Sequence, residues 1–171
     1  MPTSSLDTEN NAGNIAVAQL MVDLGKSVNM VYGSQLSTAN SDAVAPAFKN
    51  NFGYSSATNS SYASPDFSTV EANLNAHEPV LFGATTGSDG SGGHEWVCDG
   101  YQTIAQYTCP SNGNPGFGET YLLFDMNWGW NEWNATSNVD GWYCFNQWSV
   151  YSGNVLANFQ YYQDIIYNVH P

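Results

Sequence analysis

The sequence predicts an α+β fold in which helices come first and an antiparallel sheet follows. The first part of the chain places apolar residues at helical spacing, whereas the second part alternates aromatic and β-branched residues between Gly, Asn and Pro. The 171 residues, 42% of them hydrophobic, are enough for one domain with a buried core. We therefore expect a single domain over residues 1–171, helical over 14–76 and β-rich over 79–169.

Three helices are expected before the sheet. Each has an apolar stripe and a capping residue or a terminal glycine. They cover residues 14–24 before Gly25, residues 42–52 between Ser41 and Gly53, and residues 64–78 with Ser64 or Asp66 as the cap. Pro46 falls in the first turn of the second helix, where a proline is tolerated. The Ser, Thr and Asn residues over 55–64 predict a loop.

Five strands are expected in the second part. The apolar run "PVLFGATT" is the first, and the glycine-rich turn "GSDGSGG" leads from it to His94. The other four are "HEWVCDGYQ", "TYLLFDMNW", "GWYCFNQW" and "FQYYQDIIYNV". Their order, after the helices and close together in the chain, favours antiparallel pairing.

Charge excludes several classes of partner. Fifteen carboxylates and only two basic residues give a formal net charge of −13, and such a surface repels nucleic acids and anionic membranes. No apolar run of about 18 residues could span a bilayer. The abundant uncharged polar residues suit an extracellular protein, yet the N-terminus lacks the features of a signal peptide. We expect a processed or truncated piece of a longer, secreted protein.

The strand that follows the glycine-rich turn carries a candidate catalytic residue. Side chains at alternate positions of a strand share a face, so His94, Trp96 and Cys98 lie together and Glu95 points the other way. On these residues alone, a packed core histidine is the simpler interpretation.

A second motif offers the partner that a catalytic histidine would need. An imidazole that acts as a base requires a group that orients its ring and surroundings that shield it from water. Asn127, which precedes Trp128-Gly129-Trp130, can provide both. The alternative is an asparagine in a turn beside a tryptophan-rich core.

Taken together and in order, these motifs resemble the streptopain-like cysteine peptidases. "GGHEWVCDGY", "MNWGW" and "DGWYCF" resemble the family's stretches around the catalytic histidine and its partner. "AVAQLMVDLGKSVNMVYG" and "SDAVAPAFKNNFGYS" resemble the helical part that precedes them, so the resemblance covers about residues 14–168. It implies part of a papain-like fold, in which a helical lobe faces an antiparallel β lobe across the active-site cleft.

The resemblance also implies roles for individual residues. His94 would be the general base, Asn127 or its backbone would orient it, and Trp128 would shield their contact from water. The cleft would be lined by Gly92, Gly93 and Trp130. Protein or peptide would be the substrate, and no metal or organic cofactor is implied. The chain departs from the family in a longer gap between the histidine and the asparagine, which predicts an enlarged hairpin loop over residues 103–119.

The nucleophile that this chemistry needs is missing from its expected place, since the family carries its cysteine upstream of the first matching helix. Cys98 lies four residues from His94, about 13 Å along a strand, which is beyond hydrogen-bond reach. Cys109 falls in the enlarged loop, and a disulfide between Cys98 and Cys109 is one possibility. Cys144 is expected in the core. We therefore expect a cysteine-bearing N-terminal segment of the same precursor to be the partner, and this chain alone to be inactive.

Two other functions remain open at this stage. The chain could be a pseudo-peptidase that kept the lobe as a binding surface. Alternatively, its many Trp and Tyr residues could form a carbohydrate-binding or protein-binding module, because aromatic faces stack on sugar rings. In either case, self-association through apolar surface is a further expectation.

Overall fold

The structure, a computed structural model, describes residues 12–34, 36–61, 67–108, 116–130, 139–152 and 155–171. The chain divides into two compact units, Met1–Ala57 with Pro171, and Thr58–His170. The class is α+β, as predicted, with short helices and a large antiparallel sheet. None of the described helices is both long and apolar enough to cross a membrane.

Helices make up the first unit, close to where the sequence predicts them. Helix α1 spans Ala12–Ser27, and helix α2 spans Val44–Asn51 after a 3-10 turn over Ser41–Ala43. Asn40, rather than Ser41, caps this turn, because its side-chain oxygen accepts a hydrogen bond of 3.0 Å from the Asp42 amide.

From residue 56 onward the chain is mostly strand. The elements, in chain order, are β1 (Ser56–Ser61), α3 (Phe67–Asn75), β2 (Val80–Thr85), β3 (Gly93–Thr108), β4 (Gly116–Asn127), β5 (Gly141–Cys144), β6 (Ser149–Ser152), β7 (Val155–Asn158) and β8 (Tyr161–His170). Six of the strands form one sheet in the order β1-β8-β2-β3-β4-β5, and β6 pairs with β7 in a hairpin.

One face of the six-stranded sheet carries the core of the second unit. The register aligns Phe82 of β2 with Trp96 of β3 and with Ile165 of β8, and all three side chains are buried. Trp148 and Val70 of α3 join them in the same cluster. Three of the six tryptophans, Trp96, Trp128 and Trp148, are thus packed inside the protein rather than displayed for binding sugars.

Two predictions about the loops are wrong. The polar run over 55–64 contains strand β1, and "helical over 14–76" therefore overstates the helical part. Pairing with β8 explains this strand, because backbone hydrogen bonds at a sheet edge do not require β-forming side chains. The predicted enlarged loop over 103–119 is largely strand, since β3 runs on to Thr108 and β4 starts at Gly116. The hairpin β6–β7 was not predicted, because its sequence does not alternate clearly between apolar and polar residues.

Cys144 is also not where the sequence suggests. It is exposed, because β5 alternates and the core-facing position there belongs to Tyr143. Cys98 is a free, buried thiol. Strand β3 continues past Cys98 to Thr108, so the segment between Cys98 and Cys109 is strand and not the predicted loop. Cys109 itself lies outside the described residues.

Candidate active site

His94 stands near the start of β3, on the core face of the sheet. The register places it opposite Ala84 of β2 and on the same face as Trp96 and Cys98, as strand alternation predicts. The residue is half-buried. Its Nε2 atom lies 2.8 Å from the backbone oxygen of Trp128, 34 residues further along the chain.

This contact fixes which ring nitrogen carries the proton. A carbonyl oxygen can only accept a hydrogen bond, so His94 Nε2 must be the donor. In the neutral imidazole Nδ1 then has no proton and holds the free lone pair. The geometry therefore prepares Nδ1, and not Nε2, to take up a proton from another group.

Two side chains hold the Trp128 backbone in place. The Trp128 amide donates a hydrogen bond of 2.8 Å to Asp140 Oδ1. Asn127 Oδ1 accepts one of 3.0 Å from the amide of Gly129, which has a φ of 67°. Asn127 thus closes the turn beneath the carbonyl, and it is the Trp128 carbonyl that bonds the histidine. Asp140 was not among the predicted site residues, although it lies in the "DGWYCF" motif, because a carboxylate 46 positions after the histidine has no recognisable spacing.

Aromatic rings surround the imidazole. The ring of Trp130 is nearest, with its centroid 4.6 Å away, followed by Phe159 at 5.7 Å and Trp128 at 6.2 Å. The Trp128 ring is fully buried and nearly parallel to the imidazole, with 10° between the planes. These rings limit the access of water to the hydrogen bond between His94 and the Trp128 carbonyl. Phe159 was not among the predicted site residues.

Burial lowers the pKa of His94 below the ordinary histidine value, since removal from water disfavours the imidazolium. The hydrogen bond to the Trp128 carbonyl opposes this effect and is the smaller of the two. Burial therefore favours the neutral form of His94, which is the form that can accept a proton.

The described thiols do not reach this imidazole. Burial, the largest cause, raises the pKa of Cys98 to about 12, so its thiolate does not form near neutral pH. Cys144 pairs in register with Leu123, on the face of the sheet opposite His94. Neither cysteine is placed to exchange a proton with His94.

The glycines before the histidine form the turn that delivers it. Gly92 has a φ of 68°, and a Cβ atom at this position would lie 2.2 Å from Thr86 Oγ1. A larger residue would strain the backbone and displace Thr86. Gly93 begins β3 opposite Thr85. Whether Gly92, Gly93 and Trp130 line a substrate cleft stays a prediction.

On the opposite face of β3, a pair of carboxylates lies over a glycine. Gly83 of β2 is the register partner of both Glu95 and Asp164. A Cβ atom on Gly83 would lie 2.2 Å from Asp164 Oδ1 and 3.4 Å from Glu95 Cγ, so both side chains occupy the space above it. Although part of the Glu95 side chain is exposed, desolvation of its carboxyl group between the strands, together with the charge of Asp164, raises the pKa of Glu95 to about 7.

This pair makes stability depend on pH. Because the pKa of Glu95 in the folded state lies above its unfolded value of 4.5, its protonation stabilises the fold fully below that value, and the benefit is lost as the pH rises through about 7. We expect Glu95→Gln to remove this loss, so that its melting temperature exceeds that of the wild type by more at pH 8.5 than at pH 5. Differential scanning fluorimetry across this range measures the effect. Asp23→Asn on α1 is the control, and equal pH profiles for wild type and Glu95→Gln would contradict the assignment.

The chain is similar to several known proteins. The Peptidase C10 family matches residues 1–143. Streptopain from Streptococcus pyogenes serotype M28 (strain MGAS6180) is 28% identical over 179 residues, which cover 100% of this chain and 38% of the relative. Streptopain from serotype M1 is 27% identical over the same length.

A solved structure is also similar. The active wild-type interpain A cysteine protease of Prevotella intermedia matches with a TM-score of 0.71 and 28% identity, over 98% of this chain and 61% of that one. The fold is therefore part of a papain-like peptidase fold. The chain spans only 38% of the length of the curated relatives it matches.

Proposed function

Since the chain belongs to the Peptidase C10 family, we propose that it is the histidine-bearing part of a secreted, streptopain-like cysteine endopeptidase. In this proposal His94 is the general base, the Trp128 carbonyl orients it, and Asn127 and Asp140 position that carbonyl. The observation that carries the proposal is the hydrogen bond of 2.8 Å from His94 Nε2 to the Trp128 oxygen, because it leaves Nδ1 free to accept a proton.

The nucleophile comes from another segment in this account. Cys98 and Cys144 are excluded by burial and by the face on which they lie. A cysteine-bearing segment of the same precursor would bring its thiol to His94 Nδ1, and the span of 38% of the relatives leaves ample length for it. This chain alone is then inactive.

Helix α1 supports a partner of this kind. Its only buried residue is Gly25. Six of its large apolar side chains are between 36% and 62% exposed: Ile15, Val17, Leu20, Met21, Val22 and Leu24. Apolar surface on this scale marks an interaction site, and covering it stabilises the complex. Self-association through α1 is the competing use of the same surface.

The chemistry follows from the tautomer. The thiol of the partner segment gives its proton to His94 Nδ1, and the thiolate attacks the carbonyl carbon of the scissile peptide bond. The imidazolium then protonates the leaving amine. In the second stage the neutral imidazole takes a proton from water, which attacks the thioester and releases the acid product and the thiol. These steps use no metal or organic cofactor.

Labelling by a thiol-directed peptidase trap tests the proposal. The chain would be mixed with the cysteine-bearing segment of its precursor or, as a surrogate, with the corresponding part of streptopain, and treated with an epoxysuccinyl peptide. We expect mass spectrometry to find no label on the chain alone and one label on the added cysteine after mixing. Labelling of Cys98 or Cys144 in the chain alone would refute the proposal that the nucleophile comes from another segment. No label after a complex has formed would refute the proposed peptidase activity and favour a pseudo-peptidase.

A further inference from the structure

A cleft opens along the outer edge of β5, the last strand of the six-stranded sheet. Its volume is about 390 Å³, within the usual range for binding sites. The lining includes Trp142, Tyr143 and Cys144, three consecutive residues. Because neighbouring side chains of a strand point to opposite faces, a cleft that touches three in a row runs along the edge of the strand. Among the described residues, no strand pairs with this edge.

The register shows which backbone groups point into the cleft. The Phe145 amide donates a hydrogen bond of 2.9 Å to the Leu122 oxygen, and the pairing continues with Tyr143 opposite Phe124. In an antiparallel pair, hydrogen-bonded positions alternate with positions whose amides and carbonyls point away. The amides of Trp142 and Cys144 therefore point outward, two residues apart, where an added strand could accept from both. The Cys144 oxygen already accepts a hydrogen bond of 3.0 Å from the Gln147 amide, so at this residue the amide is the group that an added strand would use.

The far wall of the cleft can bond the other side of such a strand. It is built by the β6–β7 hairpin and the residues on either side of it. The lining there is made of uncharged polar side chains: Asn146, Gln147, Ser149, Asn158 and Gln160. Carboxamides carry both a donor and an acceptor, as the peptide backbone does. Ser149 Oγ donates to Asn158 Oδ1 over 2.8 Å, which holds one pair of this wall in place.

Negative charge gathers at the Trp142 end of the strand. Asp125 is the register partner of Trp142, and Asp140 precedes the first residue of β5. Desolvation, followed by the charges of Asp99 and Asp140, raises the pKa of Asp125, as expected for three carboxylates that lie close enough to repel one another. The whole chain has only two basic residues, and both lie in the helices of the first unit. A cationic partner would be drawn to this end.

We propose that the outer edge of β5 binds an extended, basic peptide segment, which adds to the sheet as a further strand. Backbone hydrogen bonds to Trp142 and Cys144 supply affinity that is independent of sequence, and lysine or arginine near Asp125 supplies the preference for positive charge. Binding at this edge needs neither His94 nor a catalytic cysteine, so it can be tested on this chain by itself. In a peptidase, such a site would hold an unfolded, basic stretch of a protein substrate.

A fluorescent octapeptide of alternating threonine and lysine is the probe, with a threonine–glutamate octapeptide as the control. Fluorescence anisotropy is expected to show at least tenfold weaker binding of the glutamate peptide at low salt. Two further versions of the lysine peptide are N-methylated at every second amide. One carries the methyl groups at the odd-numbered residues and the other carries them at the even-numbered residues. One set faces β5 in an added strand, so we expect one methylated peptide to lose about tenfold in affinity and the other to lose less.

Two variants of one residue test the strand edge itself. Cys144→Pro removes an outward amide that no described strand uses, and prolines are accepted at such edge positions. Cys144→Ala keeps the amide and removes only the thiol. We expect the alanine variant to bind like the wild type and the proline variant to bind about tenfold more weakly. Asp125→Asn is expected to reduce the difference in affinity between the lysine peptide and the glutamate peptide.

Equal binding of the lysine and glutamate peptides, or equal losses for the two methylated peptides, would overturn the proposal. So would binding of a neutral oligosaccharide such as maltohexaose without binding of the lysine peptide. Circular dichroism checks that Cys144→Pro folds. If it does not, the pair of methylated peptides decides the question alone.

Discussion

Replacing His94 by alanine is expected to lower the rate of thiol labelling by about 10²–10⁴-fold in the mixture of the chain with its cysteine-bearing segment. Without the imidazole the thiol keeps its proton at pH 6, and the thiol form is a poor nucleophile. The effect should be largest at acid pH and shrink as the pH approaches the ordinary pKa of a cysteine, because the thiolate then forms without help. Labelling reactions quenched at timed intervals, from pH 5 to pH 9, measure both the loss of rate and its dependence on pH.

The matched control is His77→Asn. His77 is exposed and has a φ of 63°, a conformation that asparagine tolerates. This variant should label at the wild-type rate. A His94→Ala variant that labels as fast as His77→Asn at pH 6 would show that another group activates the thiol.

Replacing Trp128 by alanine is expected to reduce the free energy of unfolding by about 3–5 kcal/mol. Its ring is fully buried and lies within 6 Å of the rings of Trp96, Trp130, Tyr143 and Phe159. Alanine would leave a cavity among these rings, beside His94. Urea denaturation followed by circular dichroism measures the loss.

Trp142→Ala provides the comparison for this substitution. Trp142 is 46% exposed and lies on the other face of the sheet. Its replacement by alanine should lower the free energy of unfolding by only about 1 kcal/mol. Similar losses for the two tryptophan variants would contradict the assignment of Trp128 to the core.

The sequence located the histidine because its evidence is local. Alternation along a strand places His94 with Trp96 and Cys98 whatever the neighbouring strands do, and the structure keeps all three on the core face. The same rule, applied to the spacing of four positions from His94 to Cys98, excludes that thiol as its partner. Glycines likewise marked the turn before β3 and the end of α2, whereas α1 runs two residues past Gly25.

The partner of the histidine was harder to predict, because it is a backbone carbonyl. Any residue could supply that oxygen, and what selects Trp128 is the turn held by Asn127 and by Asp140 from the start of another strand. Contacts of this kind depend on tertiary register, which one sequence does not reveal. Cys144 was misplaced for a related reason, since four apolar or aromatic residues in a row hide which of the two faces is buried.

The protonation of the His94 ring tests the central claim most directly. Long-range ¹H–¹⁵N correlation spectra distinguish the two imidazole nitrogens and follow their titration. For the chain alone we predict a neutral ring that is protonated on Nε2, with a pKa below the ordinary value of about 6.5. Adding the cysteine-bearing segment should raise this pKa, because a thiolate beside Nδ1 stabilises the imidazolium. A ring protonated on Nδ1, or a pKa unchanged in the complex, would contradict the account.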